Sequence, residues 1–446
     1  MKKNLKRIAL TIPFVVLLII SCKKYDPGDD PCPYCPSIDS ISPKTGYAGT
    51  LVKIYGSRFN PEFRKNTIKF NGVTVSIDSV LSGDASKLVV WVPAKCGSGQ
   101  VTVDADEELT YEGKVVRFEY KKTYSVETVA GSALPSTLNS AESTSPGFTN
   151  IVAMTIDTAN NIYVIDHQSA DPNRDFYIRK VKAGNLEVAK ISPDMGFDPK
   201  GAFICSQNKL FFMDPSNRRI KRASLENSTT FTTVGSQTDL GAAKGLVITP
   251  DRFFTVDTVT DAFWYKGASG SANFGKLFGA INTTSSVDGF VGQASIFNPS
   301  AIAYDAISNR IYFTEPSPMN KLRALKLSSS IFDSEVETIA GEETSSVWND
   351  GVFDITKSNH ATFYNPDYLA CDGKGNIYIH DRGVNQIRLV SLANKKVEVI
   401  AGADAVGFKD DIGTKARFLN PGPMCVDSRG NLYIADGTCI RKITIE

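Results

Sequence analysis

The sequence predicts an all-β protein in which a β-sandwich precedes a six-bladed β-propeller. Two observations predict this fold class: short apolar runs alternate with turn signals over residues 37–120, and one strand motif recurs six times over residues 121–446. Short, evenly spaced strands are typical of sandwiches, and a repeated strand motif is typical of propellers. The 49 basic and 48 acidic side chains give a net charge of +1, which provides no strong attraction to nucleic acid or another polyanion.

Residues 1–21 have the order of charge and hydropathy expected of an export signal. Four basic side chains within the first seven residues precede the apolar run 8–20, which is too short to span a bilayer. The run ends at Ser21-Cys22 and so resembles the lipobox of bacterial lipoproteins. That resemblance implies cleavage before Cys22, lipidation of Cys22, and membrane attachment through the lipid alone. An ordinary signal peptide or an uncleaved anchor helix is the alternative.

Residues 22–36 are predicted to be a flexible tether, because acidic residues, proline and glycine dominate the segment. Asp29 and Asp30 follow the lipid site closely. This placement resembles the acidic surface-export signals of Bacteroidota lipoproteins. We therefore expect an outer-membrane, lipid-anchored location that faces the cell exterior, with the periplasmic face as the alternative.

Cys32 and Cys35 form a C-x-x-C pair within this tether. A redox-active pair would need a helix start to lower the thiol pKa, and a zinc site would need two further ligands nearby. The tether offers neither. We predict a disulfide within the pair, or between one of the two cysteines and Cys96.

Four strand segments stand in order between residues 37 and 120. They are 51–55, 67–70, 88–92 and 100–103. Asn71-Gly72 after the second segment is a strong hairpin signal. With the opening turn 41–50 and the segment 54–59, these pieces resemble the IPT/TIG domain family, which implies an immunoglobulin-like sandwich that serves as a spacer or protein-contact module. The alternating strand around Trp91 predicts that this indole packs in the core.

In residues 121–446, each copy of the repeat places one strand before an Asp/Gly/Asn turn and ends the next strand on an acidic residue. The acidic residues are Asp166, Asp214, Asp257, Glu315, Asp381 and Asp436. Each copy supplies four strands, a to d, which make one propeller blade. Because the acidic residue recurs in every copy, we expect it to cap the turn between strands b and c and to play no part in catalysis.

The last copy ends after its third strand, and the missing fourth strand stands at the start of the array. Residues 126–131 repeat the d-strand motif of residues 336–341 and 397–402. We therefore predict that the N-terminal strand completes the last blade and closes the ring, which removes two exposed strand edges.

The copies resemble NHL repeats through the strand 431–436 and through the Ile-Arg pairs that end at Arg179, Arg388 and Arg441. Copies two and three depart from the pattern, and Trp264 stands near the usual arginine position in copy three. The resemblance implies a six-bladed NHL-type propeller. It assigns no function, because propellers of this kind host lyases, hydrolases, RNA binders and scaffolds.

Three long loops join strand d of one copy to strand a of the next, and we expect them to share one rim. They cover residues 280–297, 342–364 and 403–419. Long ordered loops are a common place for binding sites. Because aromatic rings stack on the apolar faces of sugars, we predict that ligand contacts come from these loops. The candidates are Phe290, Trp348, His360, Tyr364 and Phe408. Packing within the loops is the alternative for Trp348 and Tyr364.

The three histidines, His167, His360 and His380, stand at non-equivalent positions of the repeat. Amidating lyases built from NHL repeats place several histidines at equivalent channel positions. We therefore predict no catalytic residue, no histidine-bound metal and no cofactor. A calcium ion held by channel carbonyls and carboxylates would leave no such pattern and stays open.

The order of lipid anchor, tether, IPT/TIG domain and propeller resembles the surface lipoproteins of Bacteroidota, many of which accompany glycan-uptake systems. We expect a lipoprotein that binds a polysaccharide or oligosaccharide on the long-loop face, with outer-membrane transporter components as further partners and no nucleic acid. The alternatives are a divalent-metal-dependent lyase or lactonase and a protein-interaction scaffold.

Overall fold

The computed structural model describes residues 35–105, 114–139, 146–168, 175–199, 203–214, 217–225, 230–236, 243–267, 273–279, 284–344 and 347–445. These residues form strands and short 3-10 helices only, which confirms the predicted all-β class. The chain divides into two compact units, Met1–Lys121 and Lys122–Glu446. The signal segment 1–21, the lipidation site Cys22, Cys32 and most of the tether lie outside the described residues. No helix in the described ranges is long and apolar enough to cross a membrane.

The first unit contains two sheets with strand orders β1-β3-β7-β6 and β2-β9-β8-β4-β5. The strands are β1 (Ser37–Ser42), β2 (Thr45–Gly46), β3 (Leu51–Ser57), β4 (Thr67–Phe70), β5 (Val73–Thr74), β6 (Val80–Gly83), β7 (Lys87–Trp91), β8 (Gly99–Asp104) and β9 (Val116–Tyr120), and the 3-10 helices are η1 (Phe63–Lys65) and η2 (Ile77–Ser79). Alternate side chains point inward, so that Val52, Ile54, Leu88 and Val90 are fully buried.

Two expectations for this unit need correction. Trp91 is 39% exposed, because the alternation that buries Val90 and Val92 turns Trp91 to the outer face. The prediction of a core tryptophan is therefore wrong. Cys35 is disulfide-bonded, whereas Cys96 is a buried free thiol, so the pairing with Cys96 is also wrong.

The second unit contains six sheets of four or five strands, which are the six blades of the propeller. The strands of blades one to three are β11 (Ile151–Ile156), β12 (Ile162–His167), β13 (Phe176–Val181), β14 (Val188–Lys190); β15 (Phe203–Ser206), β16 (Lys209–Asp214), β17 (Arg219–Ser224), β18 (Thr232–Ser236); and β19 (Ala243–Ile248), β20 (Arg252–Asp257), β21 (Ala262–Gly267), β22 (Gly275–Gly279).

Blades four to six each carry an additional short strand from the long loops. Their strands are β23 (Gly289–Phe290), β24 (Ile302–Asp305), β25 (Arg310–Glu315), β26 (Lys321–Lys326), β27 (Glu335–Gly341); β28 (Gly351–Val352), β29 (Pro366–Cys371), β30 (Asn376–Asp381), β31 (Gln386–Ser391), β32 (Lys396–Gly402); and β33 (Asp411–Ile412), β34 (Pro421–Val426), β35 (Leu432–Asp436), β36 (Cys439–Ile445) with β10 (Tyr124–Gly131). The 3-10 helices are η3 (Ile331–Asp333), η4 (Arg382–Val384) and η5 (Gly413–Lys415).

The predicted closure of the ring is confirmed. Strand β10 pairs antiparallel with β36, and the register places Val126 opposite Ile443 and Glu127 opposite Lys442. Both Val126 and Ile443 are buried, so the joint is a core contact as well as a hydrogen-bond ladder. The first and last strands of the propeller therefore share one blade.

Strand a of each blade is innermost. The a strands β11, β15, β19, β24, β29 and β34 contact one another in sequence around the ring, and β34 meets β11 again. Their N-terminal residues and the turns after strand b consequently surround the mouth of the central channel, on the face where the long loops also begin strand a.

Candidate functional site at the mouth of the propeller channel

Four blades share a buried ion pair beneath the loop rim. It joins the acidic residue that ends strand b to an arginine of strand c, with both side chains fully buried. The pairs are Arg179–Asp166 at 3.1 Å, Arg323–Glu315 at 3.2 Å, Arg388–Asp381 at 3.0 Å and Arg441–Asp436 at 3.0 Å. A buried pair of charges is stabilising only when its geometry is good and additional hydrogen bonds engage both partners.

The terminal guanidinium nitrogens of each arginine also bind the loop above it, whereas the buried Nε atoms of Arg179, Arg388 and Arg441 have no hydrogen-bond partner within the described segments. In blade five, the guanidinium of Arg388 donates to the carbonyl of Thr362 at 2.9 Å, to the carbonyl of Asn349 at 2.6 Å and to the carboxylate of Asp350 at 3.0 Å. Arg323 and Arg441 bind their loops in the same way through Asp288 and Asp410. We call this arrangement the arginine clamp, and its effect is to fix each loop onto the blade.

The acidic residue completes the clamp. Asp381 accepts the backbone N–H of Tyr364 at 2.9 Å, and Asp436 accepts those of Leu419 and Asn420. These are the last loop residues before strand a, and not the b–c turn that the sequence led us to expect. The expected capping of that turn occurs in blades two and three, where Asp214 accepts the N–H of Asn217 and Asp257 that of Val259.

Two of the predicted ligand aromatics belong to the arginine clamp. The Trp348 ring centroid lies 5.4 Å from the Arg388 guanidinium, whose other neighbour is Phe363 at 5.2 Å. Phe408 lies 4.9 Å from Arg441 in the equivalent arrangement. A cation over an aromatic face is attracted to it, so both rings shield a buried guanidinium and hold the loop.

The other three predicted residues lie apart along the rim. Phe290 in β23 is 55% exposed and Tyr364 is 38% exposed. His360 contacts the carbonyl of Lys357 at 2.8 Å and the carboxylate of Glu342 at 3.1 Å, and both contacts raise the pKa of the imidazole. The five residues are spread over blades four to six and do not converge on one cavity, so their role in binding stays a prediction.

A cavity of about 300 Å³ opens at the channel mouth on this same face. It is lined by the first residues of several a strands and by the b–c turns, and a deeper cavity of about 220 Å³ continues from it. Lys244, Tyr368, Arg382 and Pro423 line both cavities.

An apolar ring forms the floor of the deeper cavity. Strand a of each blade supplies one side chain: Met154, Phe203, Leu246, Ile302, Leu369 and Met424. Each is at most 8% exposed, so the ring is close-packed. Because one side chain comes from every blade, the ring belongs to the architecture of the propeller and limits how deep a ligand reaches.

Above the ring, the repeat breaks in blade five. Tyr368 stands where blades one, three, four and six have Ala153, Gly245, Ala301 and Pro423. Its neighbour Asp367 accepts a hydrogen bond from the Ser300 hydroxyl and forms an ion pair at 3.4 Å with Arg382. Arg382 follows strand b and keeps 62% of its side chain exposed. Blade five therefore contributes a tyrosine, a carboxylate and a guanidinium to the mouth.

Lys244 of blade three lies in strand a, half-buried, and lines both cavities. Within the described ranges its ammonium group has no hydrogen-bond or ion-pair partner. A lysine that lines a cavity without a partner is available to an incoming ligand.

His380 lies beside Tyr368, with the two rings 6.5 Å apart and inclined by 17°. It is 2% exposed, and neither ring nitrogen has a hydrogen-bond partner. Burial lowers the pKa of His380 to about 4, so the imidazole is neutral near pH 7. Burial and the neighbouring Asp367 raise the pKa of Tyr368 to about 12, which keeps the phenol protonated as a donor.

The sequence-based prediction used loop length and aromatic content, and it therefore placed the site at the rim. It did not identify the polar residues of the mouth, Lys244, Tyr368, Asp367 and Arg382. An alignment of the copies on their acidic residue reveals them, since these positions are small or apolar in most of the other blades. In the described part of the chain, no group of three or more His, Cys, Asp or Glu side chains lies close enough to hold a metal ion.

Comparison with known proteins supports the fold of both units. The IPT/TIG domain family matches residues 36–118. A curated protein named as a probable peptidyl-alpha-hydroxyglycine alpha-amidating lyase, from Caenorhabditis elegans, is 28% identical over 81 residues, which are 18% of this chain and 22% of that protein. The match thus spans about a fifth of the length of that relative.

Three solved structures from Bacteroides share the fold over nearly the whole chain. One, from Bacteroides thetaiotaomicron and of unknown function, has a TM-score of 0.58 at 19% identity and covers 95% of this chain and 100% of its own. An auxiliary nutrient binding protein from Bacteroides ovatus has a TM-score of 0.56 at 16% identity, with coverage of 92% and 98%. Another from Bacteroides thetaiotaomicron has a TM-score of 0.54 at 18% identity, with coverage of 95% and 99%. The chain therefore has the fold of these proteins, an IPT/TIG-like sandwich followed by a six-bladed β-propeller.

Proposed function

We propose that this chain is a lipid-anchored surface protein that binds a nutrient glycan at the channel mouth of its propeller. The observation that carries the proposal is the break in the repeat at that mouth. Six blades share the floor and four share the arginine clamp, whereas Lys244, Tyr368, Asp367 and Arg382 are particular to one blade each and line one cavity.

The size and composition of the cavity suit the end of a sugar chain. Ligand sites in proteins commonly have volumes from roughly 300 Å³ upward, and they combine apolar walls with a few polar groups. The mouth offers the Tyr368 ring and hydroxyl above the apolar ring, with charged groups beside them. Hydroxyl-rich ligands with apolar ring faces match such a surface.

Two further features support the biological setting. Residues 1–22 resemble a lipoprotein signal with its lipidation site at Cys22. Two of the structures that share the fold are named auxiliary nutrient binding proteins. From these features we infer an outer-membrane location that faces the exterior and a role accessory to a glycan-uptake system, with transporter components as partners.

Isothermal titration of the purified chain against a panel of oligosaccharides tests this proposal. Tyr368→Ala is the informative variant, because Ala153 and Ala301 occupy the equivalent positions and the fold tolerates alanine there. We expect at least one glycan to bind and Tyr368→Ala to weaken that binding about tenfold or more, the usual cost of losing an aromatic contact. Tyr304→Ala is the matched control. The Tyr304 hydroxyl donates to Asn309, in the turn after strand a of blade four.

If no oligosaccharide of the panel binds, the proposed function is wrong. Binding that survives Tyr368→Ala but is lost in Trp348→Ala would move the site from the mouth to the rim. The lyase or lactonase and the protein scaffold remain alternative predictions, which turnover assays and pull-down against outer-membrane proteins address separately.

A further inference from the structure

We propose that the ligand of the channel mouth is an anionic sugar, whose carboxylate or sulfate group is bound by Lys244 with Arg382 and Tyr368. This inference rests on the proposed glycan function and names its substrate class. It is carried by the difference between the cationic donors of the mouth, which have few protein partners, and its carboxylates, which are engaged.

The donors of the mouth lack protein partners. The Lys244 ammonium has none among the residues that the structure describes, although the side chain is half-buried and lines both cavities. The Tyr368 hydroxyl likewise has no partner there. Arg382 uses one nitrogen for a single contact at 3.4 Å, so that most of its five N–H groups stay open to solvent.

The two carboxylates of the mouth are already engaged. One carboxylate oxygen of Asp367 accepts the Ser300 hydroxyl and the other receives Arg382. Asp198, the other carboxylate of the cavity lining, has an interaction of its own within the protein. Lys244 therefore has no ion-pair partner among the described residues of the lining, and an anionic ligand would provide one.

Burial strengthens the preference. An ion pair at the protein surface contributes little, whereas a charge-assisted hydrogen bond in a partly enclosed cavity is roughly twice as strong as a neutral one. The apolar ring directly below Lys244 excludes water from that side. Lysine and arginine together suit an anion, because one supplies a compact charge and the other a planar pair of donors.

The test is isothermal titration of the full chain against three sets of oligosaccharides matched in length: neutral, uronate-containing and sulfated. We expect one anionic set to bind at least about ten times more tightly than the neutral set. A tenfold difference in Kd is about the size expected for one charge-assisted hydrogen bond. Whether uronates or sulfated sugars bind identifies the source of the charge. Added salt should weaken binding of the anionic set only.

Lys244→Met should remove the preference for the anionic set, and Lys244→Arg, which keeps the charge, should retain it. Lys276→Met is the matched control, because Lys276 is an exposed lysine of strand d in the same blade. The conservative variant keeps the test decisive if the methionine variant folds poorly.

Two contrary results are distinguishable. If neutral glycans bind as tightly as anionic ones, or Lys244→Met keeps the preference, the inference is overturned while the proposed glycan function stands. If no glycan of any charge binds, the proposed function fails and the inference fails with it.

Discussion

The loop rim and the channel mouth lie on the same face of the propeller and are built on opposite principles. At the rim, blades one, four, five and six repeat the same arginine clamp with buried ion pairs of 3.0 to 3.2 Å. At the mouth, polar side chains come from single blades, and the equivalent positions elsewhere are mostly small or apolar. Recurrence marks the scaffold, and departure from recurrence marks the candidate site.

Blades two and three sharpen the comparison, because they lack the arginine. The register of strands b and c shows which residues stand in its place. In blade five, Arg388 lies opposite Ile379, two residues before the acidic residue of strand b. The residues at this register position are Lys221 in blade two, opposite Phe212, and Trp264 in blade three, opposite Thr255. Lys221 binds Asp214 at 2.8 Å but is 20% exposed. A lysine reaches one carboxylate, whereas a guanidinium also reaches the loop carbonyls, so the clamp requires arginine.

The largest effect is expected from Arg388→Met. The variant leaves Asp381 buried without its counter-charge and releases the carbonyls of Thr362 and Asn349. Breaking a buried pair from one side costs about 3–5 kcal/mol of unfolding free energy. Denaturant unfolding of the propeller measures this loss, and Arg429→Met, at an exposed turn, should stay within about 0.5 kcal/mol of the wild type. Equal stability of the two variants would mean that the clamp is not structural.

His380→Met tests the mouth through pH. The pKa of His380 is about 4 in the folded protein against a usual 6.5, so the unfolded chain binds the extra proton between these values and stability is lost as the pH falls from 6.5 toward 4. The loss approaches about 3 kcal/mol at pH 4. The variant, which copies Met213 of blade two, should lack this contribution. The measurement is the free energy of unfolding of both proteins at several pH values. If it depends on pH in the same way in both, His380 is not a buried neutral imidazole.

Lys221→Met in blade two should cost less than Arg388→Met. Lys221 makes one ion pair and is partly solvated, and Asp214 keeps its hydrogen bonds from Asn217. Loss of a hydrogen bond to a charged group costs about 2 kcal/mol. The comparison uses the same denaturant experiment, and a cost equal to that of Arg388→Met would remove the distinction between clamped and unclamped blades.

The smallest effect is expected from Trp348→Ala. Its ring covers the Arg388 guanidinium, and such cation–π contacts contribute about 1 kcal/mol at partly exposed sites. Thermal unfolding detects a loss of this size when the variant is compared with Val347→Ala, at the exposed neighbouring position. If Trp348→Ala leaves the stability unchanged but abolishes glycan binding, the ligand binds at the rim. The assignment of the rim to the scaffold and of the mouth to binding would then be wrong.

Most of the architecture followed from the sequence, because the signals for strands, turns and repeats are local. The match of residues 126–131 to the d-strand motif predicted the closure of the ring, and strand β10 pairs with β36 as expected. The acidic residue at the end of strand b was correctly identified as architectural. Its hydrogen-bond partners were not predicted. A carboxylate at the end of strand b can accept from the b–c turn or from the loop before strand a, and the arginine of strand c favours the loop.

The candidate site depends on contacts that no local pattern encodes. The strand pattern of β7 predicted that Trp91 lies in the core, but the packing of the two sheets turned Val90 inward and Trp91 outward. Lys244 and Tyr368 are distant in sequence and line one cavity only because ring closure brings the a strands of blades three and five to the same channel. The sequence by itself determined the strands, the number of blades and their closure, since these depend on short-range periodicity and repetition. The tertiary structure decided which side chains share the channel mouth, since that depends on the geometry of the closed ring.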